Sequence, residues 1–376
     1  MLIEGWKPFM WWWQIYTEYL CNYLINKYNT KIDLFTRKII YDWKKIETDF
    51  EKISSSLNIY RIWPVSDFFN FFSRLLTLLN TIFFLYKKAK IEKYDLIHAH
   101  SSLPWLPAMI VWKLLKIPVV YTLHWSICLD IWKKNLCYYL EKLFYTKLKY
   151  SLIISVSKKI LEYSCNTKNI KIIYPWVDIE KFNKFSNEKK YSWLNFLFVW
   201  RLEEQKWLKY LLKAISNVDK QLLENNRFNL NIVWDWKLKD KLIDLSKELK
   251  INNFINFKWK LSLDNLILEY KKNHIFILPS LAEWQPVVVF EAFANNLPVI
   301  ATDVWDNRYF IKDWDNWFLI KSQDINWLKF IIEKILKINK LELEKMWNYW
   351  KELVLKDLLW DKIVDQIYWE YLLLIK

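Results

Sequence analysis

Short apolar runs rich in β-branched residues recur at 32–36, 59–62, 96–100, 119–123 and 152–156, and again at 196–199, 230–233, 255–257, 275–278 and 299–302. Each is too short for a helix and nearly continuous in hydrophobicity, as a strand buried on both faces must be. Helix-length stretches separate most of them, for example 14–27, 106–115, 136–148 and 208–215. This alternation is the rhythm of parallel sheets covered on both faces. The series restarts near residue 192, after the charged, polar segment 183–190. The pattern therefore predicts an α/β chain of two doubly wound, Rossmann-like domains, residues 1–182 and 183–340, with a hinge around 173–190. Residues 341–376 carry helical patterns without strands and are expected to pack back on the N-terminal domain. Only Met1-Leu2-Ile3 precedes Glu4-Gly5-Trp6, so the first strand is expected to be very short, or the start of the gene clipped. The longest apolar stretch, 68–86, is interrupted by Asn70, Ser73, Arg74, Thr77 and Asn80. It predicts an amphipathic or buried helix, packed in preference to surface-lying, and not a membrane span.

Composition changes how the turns are read. The chain has 26 tryptophans and one glycine, Gly5. Together these make about 7% of the residues, the share that glycine alone has in ordinary soluble proteins. Tryptophan follows Pro, Asp or Asn in Pro175-Trp176, Asp235-Trp236, Asp313-Trp314 and Asn316-Trp317. Those are the slots of P-G, D-G and N-G turns, where φ > 0 and the absence of Cβ favour glycine. Most tryptophans are therefore read as glycines of the native protein, written as tryptophan by a translation table for a lineage that reads UGA as glycine. Trp360, in an apolar helical pattern, is the best candidate for a genuine tryptophan.

A net charge of +15 favours an anionic partner, whether nucleotide phosphate, anionic lipid or nucleic acid. The basic residues are dispersed through a lysine-, asparagine- and isoleucine-rich chain, which weakens that inference. Cys21, Cys128, Cys137 and Cys165 have neither metal-ligand spacing nor a disulfide rhythm, which suits a reducing cytoplasm. No signal peptide is read at the start.

With glycine restored, residues 198–208 read FVGRLEEQKGL: a buried strand ends in glycine at Trp200, then Arg201, with Lys206 at the mouth of the next helix. Two cations and free helix N–H groups then stand at the carboxyl end of a parallel strand, where phosphates bind. Residues 282–292 become AEGQPVVVFEA, with Glu283 in a loop and Glu291 inside the following helix.

At these residues the chain resembles the retaining glycosyltransferases of family 4, through the motifs G-R-L-x-x-x-K-G and E-x7-E. Further segments resemble that family in the same order: Asp95-Leu-Ile-His-Ala-His-Ser101, Tyr121-Thr-Leu-His124-Trp125, IYPGVDIEKF over 173–182, IVGDGKL over 232–238 and DGDNGFL over 313–319. The resemblance implies the GT-B fold, two Rossmann-like domains facing each other across a cleft, and transfer of a sugar from a nucleotide-sugar donor to a carbohydrate or lipid-linked acceptor. It implies that Arg201 and Lys206 bind the donor diphosphate, that Glu291 holds the ribose hydroxyls and that Glu283 contacts the transferred sugar. Backbone amides near Val288 and Val289 would cradle the phosphates, with Trp200 and Trp305 at glycine positions of the donor pocket. His124 would reach the donor sugar from the first domain, and the loop Trp11-Trp12-Trp13, read as GGG, would lie near phosphate and acceptor. Neither a metal nor a cofactor is implied, the nucleotide sugar being a substrate. The implied setting is cell-envelope polysaccharide or glycolipid synthesis in the cytoplasm, at the inner face of the membrane, with an anionic membrane surface as partner and no nucleic acid.

Two departures stand out. Asparagine occupies the glycine position of A-x-G-x-P in Ala294-Asn295-Asn296-Leu297-Pro298, a tolerable exchange because asparagine enters the left-handed region. Tyr309 stands where the family often has glutamate, and one restored glycine at Trp305 replaces a G-G pair. Against the site roles, Glu283 and Glu291 alone could be solvated charges, and Arg201 and Lys206 a solvated pair. His98 and His100 are expected to be structural, and His274 a surface or packing residue. A competing reading, from tryptophan at face value, is a basic membrane-surface or nucleic-acid binder without enzymatic activity. A non-catalytic scaffold of the same fold is a third, opposed by the intact Arg201, Lys206, Glu283 and Glu291.

Overall fold

The computed structural model describes residues 1–7, 12–40, 48–66, 71–100, 104–124, 139, 151–162, 169–174, 182, 185, 188–192, 194–199, 208–233, 239–258, 261–281, 287–304, 306–311, 318–338, 342 and 359–375. The chain divides into two compact units, residues 1–175 with 361–376, and residues 176–360. The sequence pattern placed the first division at 182/183.

The first unit holds strands β1 (Leu2–Ile3), β2 (Ile32–Ile39), β3 (Phe50–Lys52), β4 (Leu57–Ser66), β5 (Ile97–His100), β6 (Val119–Leu123), β7 (Leu152–Ser155) and β8 (Ile170–Ile172). Their order is β3-β4-β2-β1-β5-β6-β7-β8, parallel except for the antiparallel edge pair β3–β4. The strand β1 has two residues and sits at the centre, with Leu2 opposite Phe35 on β2 and Ala99 on β5. Helix α1 (Trp12–Tyr28) buries Thr17, Leu20, Cys21 and Leu24, the i, i+3, i+4, i+7 stripe of a helix lying on a sheet. Because α1 begins at Trp12, Trp12 and Trp13 form its first turn and are not loop residues; the Trp13 carbonyl accepts the Thr17 hydroxyl at 2.8 Å, within the helix. Trp11 lies outside the described residues. Helix α3 (Trp105–Leu115) ends on Lys116, whose left-handed φ of 61° returns its N–H to the Trp112 carbonyl.

Helix α2 (Phe71–Glu92) replaces the packed helix read from 68–86 with an inverted one. Its buried face carries the small polar residues Ser73, Thr77 and Thr81, followed by Leu85 and Ala89. Thr77 and Thr81 donate their hydroxyls to the carbonyls four residues before them, at 2.8 and 2.7 Å, which satisfies these groups inside the protein. The apolar residues Phe72, Leu75, Leu76, Leu79, Phe83 and Phe84 face outward, Phe72 being 77% exposed. A helix with apolar residues on most sides does not reveal from sequence which stripe its neighbours cover.

The second unit repeats the plan with β9 (Asn195–Val199), β10 (Asn229–Val233), β11 (Ile255–Lys258), β12 (Ile275–Leu278), β13 (Val299–Thr302) and β14 (Phe318–Ile320). The order β11-β10-β9-β12-β13-β14 is fully parallel, with the chain reversing its direction of travel between the neighbours β9 and β12. Helices α4 (Leu208–Ser216), α5 (Lys220–Asn225), α6 (Lys239–Glu248), α7 (Leu263–Lys272), α8 (Val287–Ala294), α9 (Asn307–Phe310) and α10 (Ile325–Lys337) connect them. Local signals fix their starts: Ser262 accepts the Asn265 N–H before α7, and Asp324 the Trp327 N–H before α10. The helix α10 buries Leu328, Ile331, Ile332, Ile335 and Leu336 on one stripe, each worth about 1.5–3 kcal/mol in burial. After α8, Asn296 takes φ 55°, so the asparagine standing for glycine does occupy the left-handed region.

The last helix, α11 (Trp360–Ile375), belongs to the first unit from Asp361 on. Asp365 accepts Lys27 Nζ at 2.7 Å and the Tyr28 hydroxyl at 2.6 Å, Glu370 pairs with Lys171, and Tyr368 stacks on Tyr28. Trp360 opens this helix half-buried, with Ile363 and Val364 buried beneath it.

Candidate active site

Parallel sheets present their chemistry at the carboxyl ends of strands, and in the first unit those ends gather three histidines. His98 and His100 are on β5, and His124 follows β6; all three are at most 1% exposed. Parallel pairing sets His100 beside Thr122 and His98 beside Val120, bringing the two strand ends level. His98 uses both ring nitrogens, one with the Tyr371 hydroxyl on α11 and one with Thr122 Oγ1 at 2.6 Å. It is a fastener between the sheet and α11. His100 Nδ1 meets His124 Nε2 at 3.1 Å with the rings nearly parallel at 16°, so one nitrogen donates and the other accepts. Tyr16 on α1 sets its ring edge-on against His124 at 4.8 Å.

Burial decides the charge of this group. Desolvation carries His124 down to about 3, and it moves His98 and His100 well below the ordinary histidine value, with neighbouring positive charge adding to the shift. The three imidazoles are neutral at physiological pH. A neutral His124 can share hydrogen bonds with a sugar hydroxyl; it is not a proton reservoir.

In the second unit, the neighbouring strands β9 and β12 lead into the two motif-bearing segments. Residues 200–207 join β9 to α4, and 282–286 precede α8. Trp200, Arg201, Lys206, Glu283 and Trp305 lie outside the described residues. What is described is α8 itself. The side chains of Val288 and Val289 are buried, leaving their amides, in a first turn without intrahelical acceptors, as the groups that can serve a ligand. Glu291 Oε2 accepts the hydroxyl of Tyr270, from the last turns of α7, at 2.8 Å. Burial raises the Glu291 carboxyl above its usual range, and the Tyr270 bond opposes that shift. Burial and the facing carboxylate hold Tyr270 far above the usual phenol value, so it stays a donor.

The sequence pattern missed Tyr16, Tyr270 and Tyr371. No motif signals them, since each earns its role through contacts 21 to 273 residues away in the chain. His274, expected at the surface or in packing, offers Nδ1 to the Asn195 N–H at 3.2 Å. Among the described residues, no group of three or more His, Cys, Asp or Glu could hold a metal ion, and no helix is long and apolar enough to cross a membrane.

The family profile described as Glycosyltransferase Family 4 matches residues 15–181, and that of Glycosyl transferases group 1 matches residues 178–352. The chain is a glycosyltransferase with the GT-B fold. A similar protein of Escherichia coli, UDP-Gal:alpha-D-GlcNAc-diphosphoundecaprenol alpha-1,3-galactosyltransferase, is 30% identical over 268 residues, which is 64% of this chain and 66% of that one. Among solved structures, a glycosyltransferase of Rickettsia africae superposes with a TM-score of 0.78 at 16% identity, covering 100% of this chain and 98% of its own. Anabaena HepE, solved in complex with UDP and glucose, gives a TM-score of 0.71 at 16% identity, covering 98% and 97%. At that identity the solved structures speak for the fold of the glycosyltransferase alone. The two parallel-sheet domains expected from the sequence are the architecture found.

Proposed function

We propose that this glycosyltransferase transfers a sugar, with retention at the anomeric carbon, from a nucleoside-diphosphate sugar to a carbohydrate or lipid-linked acceptor in cell-envelope polysaccharide or glycolipid synthesis. The observation that carries this is the second unit's switch point: its neighbouring strands β9 and β12 lead into the Arg201/Lys206 and Glu283 segments, with Glu291 following on α8. In this reading Arg201, Lys206 and the amides near Val288 and Val289 take up the charge that grows on the leaving diphosphate. Glu291 accepts the ribose hydroxyls with the carboxylate that Tyr270 steadies. Glu283 and the neutral His124 hold the transferred sugar. The acceptor oxygen bonds to the anomeric carbon as the carbon–phosphate oxygen bond breaks on the same face, and the acceptor's proton passes to the leaving phosphate. The relative that uses UDP-Gal and a diphosphoundecaprenol-linked acceptor supports the donor and acceptor classes.

The glycine reading of the tryptophans belongs to the same proposal. Trp11, Trp200 and Trp305 then become places where backbone can approach phosphate, and the protein works beside an anionic membrane face. The test is to produce the chain as written and with glycine at the turn tryptophans, and to screen both against nucleotide sugars for binding and hydrolysis. Binding that is lost on Glu291→Ala supports the reading; a folded protein that binds no nucleotide sugar refutes it. Codons at the tryptophan positions test the recoding separately, UGG throughout being the contrary result.

A further inference from the structure

The motif over 173–182 and the charged stretch after it have no part in the site described above, yet both reach a helix that serves it. The chain enters the second unit at residue 176, and Phe182 is buried in that unit. Its ring meets that of Tyr270, on α7, edge-on, with centroids 6.3 Å apart and planes at 83°. Phe276 of β12 packs on the same tyrosine at 5.9 Å. Tyr270 has no exposed surface, so close packing with these rings fixes where its hydroxyl points. It points at Glu291 Oε2, 2.8 Å away.

Residues 190 and 191 hold the end of the same helix. The Tyr191 N–H donates to the Lys272 carbonyl at 2.9 Å, and Lys190 Nζ to the Asn273 carbonyl at 2.6 Å. These carbonyls stand at the end of α7, beyond the reach of any intrahelical N–H. Lys258 Nζ bridges the Tyr191 hydroxyl at 3.0 Å and Glu269 Oε2 at 2.7 Å. The last turn of α7 is thus tied to the connecting segment through Glu269, Tyr270, Lys272 and Asn273, and Tyr270 lies in the middle of it.

We propose that Phe182 is a positioning residue for the donor nucleotide: through Tyr270 it sets the Glu291 carboxylate against the ribose diol, and Tyr191 anchors the turn that carries Tyr270. This rests on the reading of Glu291 as the ribose carboxylate, and it names what holds that carboxylate in place. An ionised carboxylate serves both hydroxyls of a diol while its own donor keeps it oriented and charged. A tyrosine free to tilt leaves the half-buried Glu291 without that bond. The loss falls on the ribose contact, while the groups that would bind diphosphate and sugar are untouched. Coupling of this kind is reciprocal, so bound nucleotide must in turn steady the segment.

The test is calorimetric titration of whichever of the two protein versions unfolds cooperatively. UDP, GDP or ADP, whichever binds most tightly, is compared with the same nucleotide lacking both ribose hydroxyls. The intact protein is expected to prefer the ribose form on the order of tenfold, the worth of hydrogen bonds to a charged group. Phe182→Ala and Tyr270→Phe should each bring that preference to about twofold or less, and Phe182→Ala should add nothing in a Tyr270→Phe background. Phe182→Leu, which keeps the apolar volume, should fall in between, and it decides by the same ratio if Phe182→Ala unfolds. A Phe182 variant that weakens both nucleotides equally overturns the proposal, as does a loss that adds to that of Tyr270→Phe. Hydrogen exchange at the Tyr191 amide should slow when nucleotide binds; unchanged exchange overturns the anchoring role of Tyr191. Glu291→Ala separates the two readings. A preference that survives it removes the ribose carboxylate itself, and the proposal with it. A preference lost there and in Tyr270→Phe, but kept in the Phe182 variants, refutes the role of Phe182 alone.

Discussion

The two units share one strand order around their central strand, β4-β2-β1-β5-β6-β7 in one and β11-β10-β9-β12-β13-β14 in the other, yet their carboxyl ends are furnished differently. In the first unit, the described polar groups are sunk and joined to one another: His100 to His124, His98 to Thr122 and Tyr371, Glu4 to two arginines. In the second, the described edge offers a carboxylate, Glu291, steadied by one tyrosine. Under the proposed function the contrast corresponds to two tasks. Neutral imidazoles suit hydroxyl-rich ligands, because they share hydrogen bonds without attracting counterions. A half-buried carboxylate with a fixed donor suits a diol, and the cations of 200–207 would supply what a diphosphate needs.

The largest test of this contrast replaces tryptophan by glycine at 176, 200, 234, 236, 284, 305, 314 and 317. If these are glycine positions, indoles there overpack the turns at about 1–3 kcal/mol each, enough in sum to unfold an ordinary domain. All eight named positions fall in the second unit, so that unit is expected to suffer more. Calorimetry of the chain as written should show its unfolding broadened or lost, and the glycine version a cooperative transition with donor binding restored. A chain as written that folds cooperatively and turns over substrate would overturn the glycine reading.

Next in size are the donor residues. Glu283→Ala is expected to slow transfer by about 10²-fold or more with donor affinity little changed, and Glu291→Ala to weaken nucleotide binding. Lys206→Ala should weaken donor binding on the order of tenfold, while Lys209→Ala should not. Lys209 is exposed on α4, with its ammonium 5.1 Å from the Tyr210 ring, and has no described link to the site. Titration of both variants with UDP decides it; equal affinities would remove Lys206 from the site.

How far the site could be read in advance differs between the same two regions. The buried strands β5, β6, β9, β10, β12 and β13 were legible because runs such as Val119–Leu123 are apolar on both faces. The strands β1, β3, β8 and β14 are two or three residues long and carry no periodicity to find. The second unit's candidate site is carried by motif, since phosphate binding is local to a strand end and helix start. In the first unit the sequence pointed to His124 as a ligand contact and to His98 and His100 as structural residues, and His98 is bonded on both sides to Tyr371 and Thr122. Tyr16, Tyr371, Glu4, Arg37 and Arg74 come together only through sheet order, and the inverted faces of α2 depend on what packs against it.

The histidine cluster predicts an acid sensitivity specific to the first unit. Folded His124 protonates at about 3, against 6.5 ordinarily, and His98 and His100 shift the same way. Below 6.5 the unfolded chain takes up protons that the folded one refuses, so stability falls as pH falls. Each such histidine contributes about 1.4 kcal/mol per pH unit between the two values, and nothing above the upper one. Urea unfolding of the first unit should weaken steadily from about pH 6.5 toward pH 4, and His124→Gln should flatten the slope. A slope unchanged by that variant would mean the imidazole is charged in the folded state.

The smallest effect is expected at Tyr270, and it has the opposite sign in pH. Glu291 is raised above its ordinary 4.5 by burial, so the folded state holds this proton more tightly than the unfolded one. Stability from that group is present below 4.5 and is lost as pH rises through the raised value. The Tyr270 hydroxyl limits the loss by donating to the ionised carboxylate. In Tyr270→Phe the carboxylate loses its donor, its pKa climbs further, and the decline extends to higher pH. A hydrogen bond to a charged group is worth about 1.5–3 kcal/mol, and water reaching the half-buried Glu291 replaces part of it, so a deficit of about 1–2 kcal/mol is expected at pH 7.5. Near pH 4 the protonated carboxyl asks less of the donor, and the deficit should shrink to a few tenths of a kcal/mol. Urea unfolding of both proteins at the two pH values measures the difference. An equal deficit at both would assign the Tyr270 hydroxyl to packing, and the carboxylate would then have to be steadied from outside the described residues.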